Sequence, residues 1–287
     1  MDITKYAILK KLAGGGGGDG DHTTEDAIVS GTITEYTNDR VTSIGNYAFT
    51  ECSSLTSADF PAVTSIGADA FERCINLTSV HFPAATSIGD YAFVACSSLT
   101  SANFPAATSI GEAAFSACSS LTSADFPAVT SIGGAAFSEC SSLTSADFPA
   151  ATSIGDYAFA RCSSLTSANF PAATSIVESA FSECSSLTSA DFPAVTSIGN
   201  YAFEVCSNLT SLILRVTTQV CTLSNTNALI NTPIKSGTGY IYVPAALIDS
   251  YKTATNWTTY ANQFRALESY TVDGTTTGEL DPTKVNA

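Results

Sequence analysis

The sequence predicts an α/β solenoid: a right-handed coil with a parallel β-sheet on its concave face, short helical turns and terminal caps. Three observations predict it. A 22-residue phrase, clearest as FPAVTSIGGAAFSECSSLTSAD from Phe126 to Asp147, recurs without insertion or deletion. Its Phe-Pro pair begins at Phe60, Phe82, Phe104, Phe126, Phe148, Phe170 and Phe192, and a fixed period of this size marks stacked repeats. Only 13% of the 287 residues are charged, and Ser, Thr and Ala fill the gap, as coils with little room per side chain require.

Six segments follow from this reading. Residues 1–13 form a short helix, with Ile3, Tyr6, Ala7 and Leu9 on one side; alone it is marginal, so it serves as an anchor. Its apolar run, Tyr6 to Leu9, is too short for a secretory leader, and the charges follow rather than precede it. Residues 14–25 are a glycine-rich linker; no Gly-Lys-Ser/Thr follows, which argues against a phosphate loop. Residues 26–43 alternate apolar and polar through Ile28, Ile33, Tyr36 and Val41, an N-terminal β cap that covers the open end of the stack.

Residues 44–214 carry the repeat, about eight copies. In the central copy Leu121 to Phe126 is the strand, with Ala124 and Phe126 inward and Ser123 and Asp125 outward. Pro127 ends it, lacking the next ladder donor. Thr130 to Gly133 makes a corner, with Ile132 inward and Gly133 free to take positive φ; Val177 replaces that glycine in one copy and is expected to strain it. Ala136, Phe137 and Cys140 then share one face of a short helical turn, and Leu143 closes the coil.

This pattern resembles the BspA-like bacterial leucine-rich repeats, whose unit reads Ile-Gly-x-x-Ala-Phe-x-x-Cys-x-x-Leu before a strand. It matches from Ile44-Gly45, Ala48-Phe49, Cys52 and Leu55 through to Ile198-Gly199, Ala202-Phe203, Cys206 and Leu209. The resemblance implies a leucine-rich-repeat solenoid and an adhesive role. It also identifies residues 215–270 as a terminal cap, read as a strand Tyr240 to Pro244 and helices over Ala246 to Lys252 and Trp257 to Leu267, with Trp257 in the cap core. Residues 271–287 are a polar, flexible tail.

Charge and side-chain chemistry restrict the function. Net charge is −15, and between Val41 and Val205 only Arg73 and Arg161 are basic, which disfavours nucleic acid and anionic membrane surfaces. No stretch is apolar enough for membrane insertion as a helix. Cys52, Cys74, Cys96, Cys118, Cys140, Cys162, Cys184 and Cys206 hold one repeat position. Their Cβ vectors run parallel, so they form a ladder of free, buried thiols. No Cys-x-x-Cys pair occurs, and His22 and His81 are far apart in sequence, so no metal site or cofactor is expected. An active site needs different groups in different roles, whereas these coils present nearly the same groups repeatedly; the chain is read as non-enzymatic.

The candidate binding residues are the outward strand positions: Ser57, Ser79, Ser101, Ser123, Ser145, Ser167 and Ser189, beside Asp59, His81, Asn103, Asp125, Asp147, Asn169 and Asp191. Asp125 and Asp147 would repel unless a cation or water intervenes, yet no calcium loop is recognisable. One reading is a solvated polar face that keeps a parallel sheet soluble. The other is a repetitive surface that binds a protein or glycan on a cell surface through multivalency. The opening MDITKYAILKKLAGGGGG looks like openings of phage and prophage structural proteins, which implies a tail- or capsid-associated virion component anchored to a particle or oligomer by its N-terminal helix. A bacterial cell-surface adhesin and an intracellular interaction scaffold are the alternatives.

Overall fold

Every feature of the repeat that recurs at 22 residues becomes a column when the coils stack, so the fold is best described column by column. A computed structural model describes residues 35–37, 39–267, 269–272 and 275–279. Residues 1–34, which hold the expected anchor, linker and the first half of the N-terminal cap, lie outside the described residues.

The first column is the strand. Glu35–Thr37 pairs in parallel with Ser57–Asp59, and that with Ser79–His81. A second, eight-stranded parallel sheet runs from Ser101–Asn103 through Ser123–Asp125, Ser145–Asp147, Ser167–Asn169, Ser189–Phe192, Ser211–Leu214 and Tyr240–Pro244 to Phe264–Leu267. Register is set residue for residue: Asn103 pairs with Asp125, Asp125 with Asp147, Asp147 with Asn169 and Asn169 with Asp191. Ala124 and Phe126 are buried while Ser123 and Asp125 are exposed, as alternation requires.

A second parallel column is the two-residue strand at each Ser-Ile, from Ser43–Ile44 to Ser153–Ile154, then separately from Ser175–Ile176 to Thr222–Leu223. Threonine stitches both columns together. In most coils the Thr N–H and its hydroxyl both donate to the equivalent Thr carbonyl one coil earlier, as Thr130 does to Thr108 at 2.9 and 3.2 Å. The carbonyl has two lone pairs, and threonine fills both.

The third column differs from the expected helical turn. Residues Ala135 and Glu139 take left-handed φ of 53° and 62°, and the equivalent pairs do so in every coil, from Tyr47 and Glu51 to Tyr201 and Val205. With two left-handed residues four apart, an i to i−4 ladder cannot form. Alternate amides instead reach forward one coil, Phe137 N–H to the Ala158 carbonyl at 2.8 Å and Glu139 N–H to Ala160 at 2.8 Å, while those between close single turns, as Ser138 N–H does to Ala135 at 2.9 Å. Inter-coil pairing wins over local helix because it satisfies the backbone on a side where the neighbour is always present.

Gly133 is not at positive φ. A Cβ there would lie 2.5 Å from the Gly111 carbonyl carbon and oxygen, so the glycine is required by the close approach of stacked backbones. Val177, in the same position, therefore opens the column rather than straining its own φ. Among the described residues no hydrogen bond joins Val177 to Ile154 or Thr174 to Thr152, and the Ser-Ile sheet divides there. The ring pair Phe170–Phe192, on the next coil contact, widens to 6.4 Å with a 28° tilt.

The core is two columns of phenylalanine. One follows Phe49, Phe71 and onward to Phe203, the other Phe60, Phe82 and onward to Phe192. Within a column the rings are nearly parallel, as Phe115 over Phe137 at 5.3 Å and 4°; between columns they meet edge to face, as Phe126 with Phe137 at 5.8 Å and 67°. Both geometries are favoured by the ring quadrupole. The cysteine ladder lies alongside, its thiols free and all but the half-buried Cys52 inaccessible. Each buried thiol of the ladder donates to a phenylalanine carbonyl one coil back, Cys140 Sγ to Phe115 O at 3.1 Å. Burial pushes the thiols of Cys96, Cys162 and Cys206 up to about 12.

The C-terminal segment closes the stack. Helix Pro233–Ser236 is capped by the Thr232 hydroxyl, begins with proline and ends at Gly237 with φ 89°. Trp257 is fully buried and donates Nε1–H to the Cys221 carbonyl at 2.6 Å, as a cap-core residue should. The helix expected over Ala246 to Lys252 is found at Ile248–Thr253. Beyond it, Trp257–Tyr260 is a 3₁₀ turn and Phe264–Leu267 is a strand, not a helix, because it adds to the edge left by Tyr240–Pro244. Ser269–Val272 and Thr275–Glu279 pair as an antiparallel hairpin, which joins the last two residues expected in the cap to the start of the segment expected as a flexible tail.

Candidate binding face

The outward row of the strand column is built by register alone. Thr37, Asp59 and His81 align in the first sheet; Asn103, Asp125, Asp147, Asn169, Asp191, Ile213, Tyr242 and Arg265 align in the second. Beside it run the serines from Ser57 to Ser189, then Ser211 and Tyr240. All fourteen expected residues therefore lie on strand faces and stay at least partly accessible.

They are not equivalent, however. Asn169 Nδ2 donates to Asp147 Oδ1 at 2.8 Å, which ties two coils together. Arg215 reaches back over Asp191 as a two-pronged clamp, Nε to Oδ1 at 2.9 Å and Nη2 to Oδ2 at 2.8 Å. Both partners of this pair are partly buried, so it is less screened than the exposed pairs Arg73–Glu51 and Arg161–Glu139 on the turn side. Between these groups lies a depression of about 600 Å³, lined by Ser145, Asp147, Ser167, Asn169, Asp191 and Arg215. Past it the face changes character: Ile213 is buried, and Arg265 lies over the Tyr240 ring at 4.1 Å.

Sequence reasoning missed Arg215, Tyr240 and Tyr242. A signal for the first was present. Arg215 occupies the position held by Pro61, Pro83, Pro105, Pro127, Pro149, Pro171 and Pro193, so one copy replaces the strand-ending proline by a cation.

The arrangement offers hydrogen-bond donors and acceptors of both charges. Among the described residues no group of three His, Cys, Asp or Glu side chains could hold a metal ion, and no helix is long and apolar enough to cross a membrane. His81 is aligned with Asp59 in the register and shares its strand face with Ser79.

Comparison with known proteins supplies the family. A model described as the BspA-type leucine-rich repeat region, in 6 copies, matches residues 34–144 and 130–242. Solved structures include a leucine-rich cell surface protein from Faecalibacterium prausnitzii, 22% identical, covering 80% of this chain and 93% of that one, with a TM-score of 0.32. A leucine-rich repeat protein from Bacteroides ovatus is 18% identical over 79% and 88%, TM-score 0.36. The T. pallidum leucine-rich repeat protein is 21% identical over 73% and 75%, TM-score 0.40. A search of curated proteins gives no match. With the family model spanning well over half of the sequence, the chain belongs to the BspA-type leucine-rich-repeat family.

Proposed function

We propose that the chain is a non-enzymatic recognition protein that engages a protein partner on a cell surface through its outward strand face. The observation that supports this is a place where the face departs from its repeat: the depression between Asp147, Asn169, Asp191 and Arg215. A purely solvating face has no use for an arginine bent back over a neighbouring coil's aspartate. Such a clamp holds two charges in fixed geometry, ready to exchange one partner for an incoming carboxylate or guanidinium. The flanking coils add weaker, similar contacts on both sides of this anchor.

The test is binding of the fluorescently labelled full chain to intact bacterial cells before and after protease treatment of those cells. Binding that survives complete removal of surface protein contradicts a protein partner. Display on a phage or phage-like particle is a separate proposal that rests on the opening of the sequence, in residues 1–18. Mass spectrometry of purified particles from the host culture tests it, with absence of the chain counting against it.

A further inference from the structure

The turn side of the coil carries a feature that neither packing nor the strand face explains. The first left-handed position of each coil holds Tyr47, Asp69, Tyr91, Ala113, Ala135, Tyr157, Ser179 and Tyr201. A tyrosine at φ near 60° is unfavourable for a bulky side chain, and alanine or aspartate fits the same site. Three of the four rings also stay in water: Tyr47, Tyr91 and Tyr157 are 52%, 38% and 47% exposed. The left-handed backbone costs folding free energy and the exposed rings return little of it through burial, so packing does not account for them.

The tyrosines are also coupled to their neighbours. Each follows an Asx residue, as Asn46-Tyr47, Asp90-Tyr91, Asp156-Tyr157 and Asn200-Tyr201, while the four coils without tyrosine have Ala68, Glu112, Gly134 or Glu178 there. Asn46 and Asp90 use one side-chain oxygen to hold the next coil's amide, at Ala68 and Glu112. Tyr91 donates its hydroxyl to Glu112 at 2.8 Å, and this bond, with the charges of Glu112, Asp90 and Asp69, raises its pKa. The Tyr91 ring is thus a flat apolar platform set among carboxylate acceptors.

We propose that this row is a second binding surface, for a linear neutral polysaccharide. Stacked coils rise about 4.8 Å each, so Tyr47 and Tyr91 lie about 10 Å apart and Tyr91 and Tyr157 about 14 Å. Ala113 and Ala135 fill the interval between the last two, leaving isolated rings rather than the contiguous desolvated core that a protein interface needs. Isolated rings along one row suit an extended polymer whose sugar C–H faces stack on them while its hydroxyls donate to the adjacent carboxylates. The same carboxylates repel an anionic polymer. Weak contacts at several rings add through multivalency.

The experiment is affinity electrophoresis of the full chain in gels that contain xylan, xyloglucan, glucomannan or, as the anionic comparison, polygalacturonate. At least one neutral polymer retards the wild-type chain and polygalacturonate does not. The double variant Tyr91→Ala/Tyr157→Ala loses at least tenfold in affinity, whereas Tyr91→Phe/Tyr157→Phe keeps most of it and Arg215→Ala is unchanged. The alanine variant copies Ala113 and Ala135 and eases the left-handed strain, so its melting temperature should equal or exceed that of the wild type. The proposal is overturned by no retardation in any neutral gel, by equal retardation of the alanine variant, or by binding that depends on Arg215 instead. It is also overturned if the alanine variant loses binding to a protein partner while no polymer is bound.

Discussion

Replacing Gly133 by alanine adds one methyl group, and the structure says where it goes: 2.5 Å from the carbonyl carbon and oxygen of Gly111 on the coil below. Backbone atoms cannot yield to it as a flexible side chain would, so the coils must part. Val177 shows what parting removes. The equivalent bonds at Gly133 are its N–H to the Ile110 carbonyl at 2.8 Å, the Thr130 N–H to Thr108 at 2.9 Å and the Thr130 hydroxyl to the same oxygen at 3.2 Å. At about 1 kcal/mol each these sum to roughly 3 kcal/mol. Restricting the unfolded chain returns about 0.4–1 kcal/mol, so Gly133→Ala is expected to destabilise by about 2 kcal/mol. The neighbouring Gly134→Ala is the control. Its Cβ would meet only the Asp156 carbonyl oxygen, at an ordinary 3.4 Å, so the substitution should be neutral or slightly stabilising. Urea denaturation of both variants at constant m-value gives the comparison. Equal losses at the two positions, or none at Gly133, would refute the close-approach argument.

The converse change, Val177→Gly, should let the Ser-Ile column close across its break; three regained bonds outweigh the lost valine packing and added chain entropy by about 1 kcal/mol, seen as a higher urea midpoint. The thiol ladder makes stability fall in alkali. The unfolded thiols ionise near 8.5 while the buried ones rise to about 12 at Cys96, Cys162 and Cys206, so their contribution is intact below about pH 8.5 and lost as pH climbs towards 12. Melting temperatures from pH 8 to 10.5 should decline, and Cys162→Ala should flatten the slope. Phe137→Ala empties a site between Phe115, Phe126, Phe148 and Phe159 and should cost about 3–5 kcal/mol in the same urea assay. Arg161→Ala, by contrast, removes only exposed pairs with Glu139 and Glu183 and should leave the urea midpoint essentially where it is.

The period of 22 and the alternation around Ala124 and Phe126 made the coil, its strand face and its thiol ladder legible, because one-dimensional stacking turns sequence repetition directly into columns. Conformation at the turn was not legible. Ala136, Phe137 and Cys140 have helical spacing, but Ala135 and Glu139 carry positive φ without being glycine, and nothing in their side chains announces it. Gly133 misled in the opposite sense, since its need is space and only the neighbouring coil reveals that need. Phe264–Leu267 reads equally as helix or strand until the free edge of Tyr240–Pro244 decides it. On the candidate face the repeated serines and acids were readable from register; the clamp from Arg215 to Asp191 spans 24 residues and exists only because the last coil replaces proline.

The central claim is that the strand face recognises a partner at its non-repeating depression. Cell binding by the full chain, compared with the triple variant Asp147→Ala/Asn169→Ala/Arg215→Ala and with Arg161→Ala as an off-face control, tests it most directly. At least a tenfold loss in the triple variant, with the control unchanged and both still folded, is the predicted result. Undiminished binding by the folded triple variant would contradict the claim.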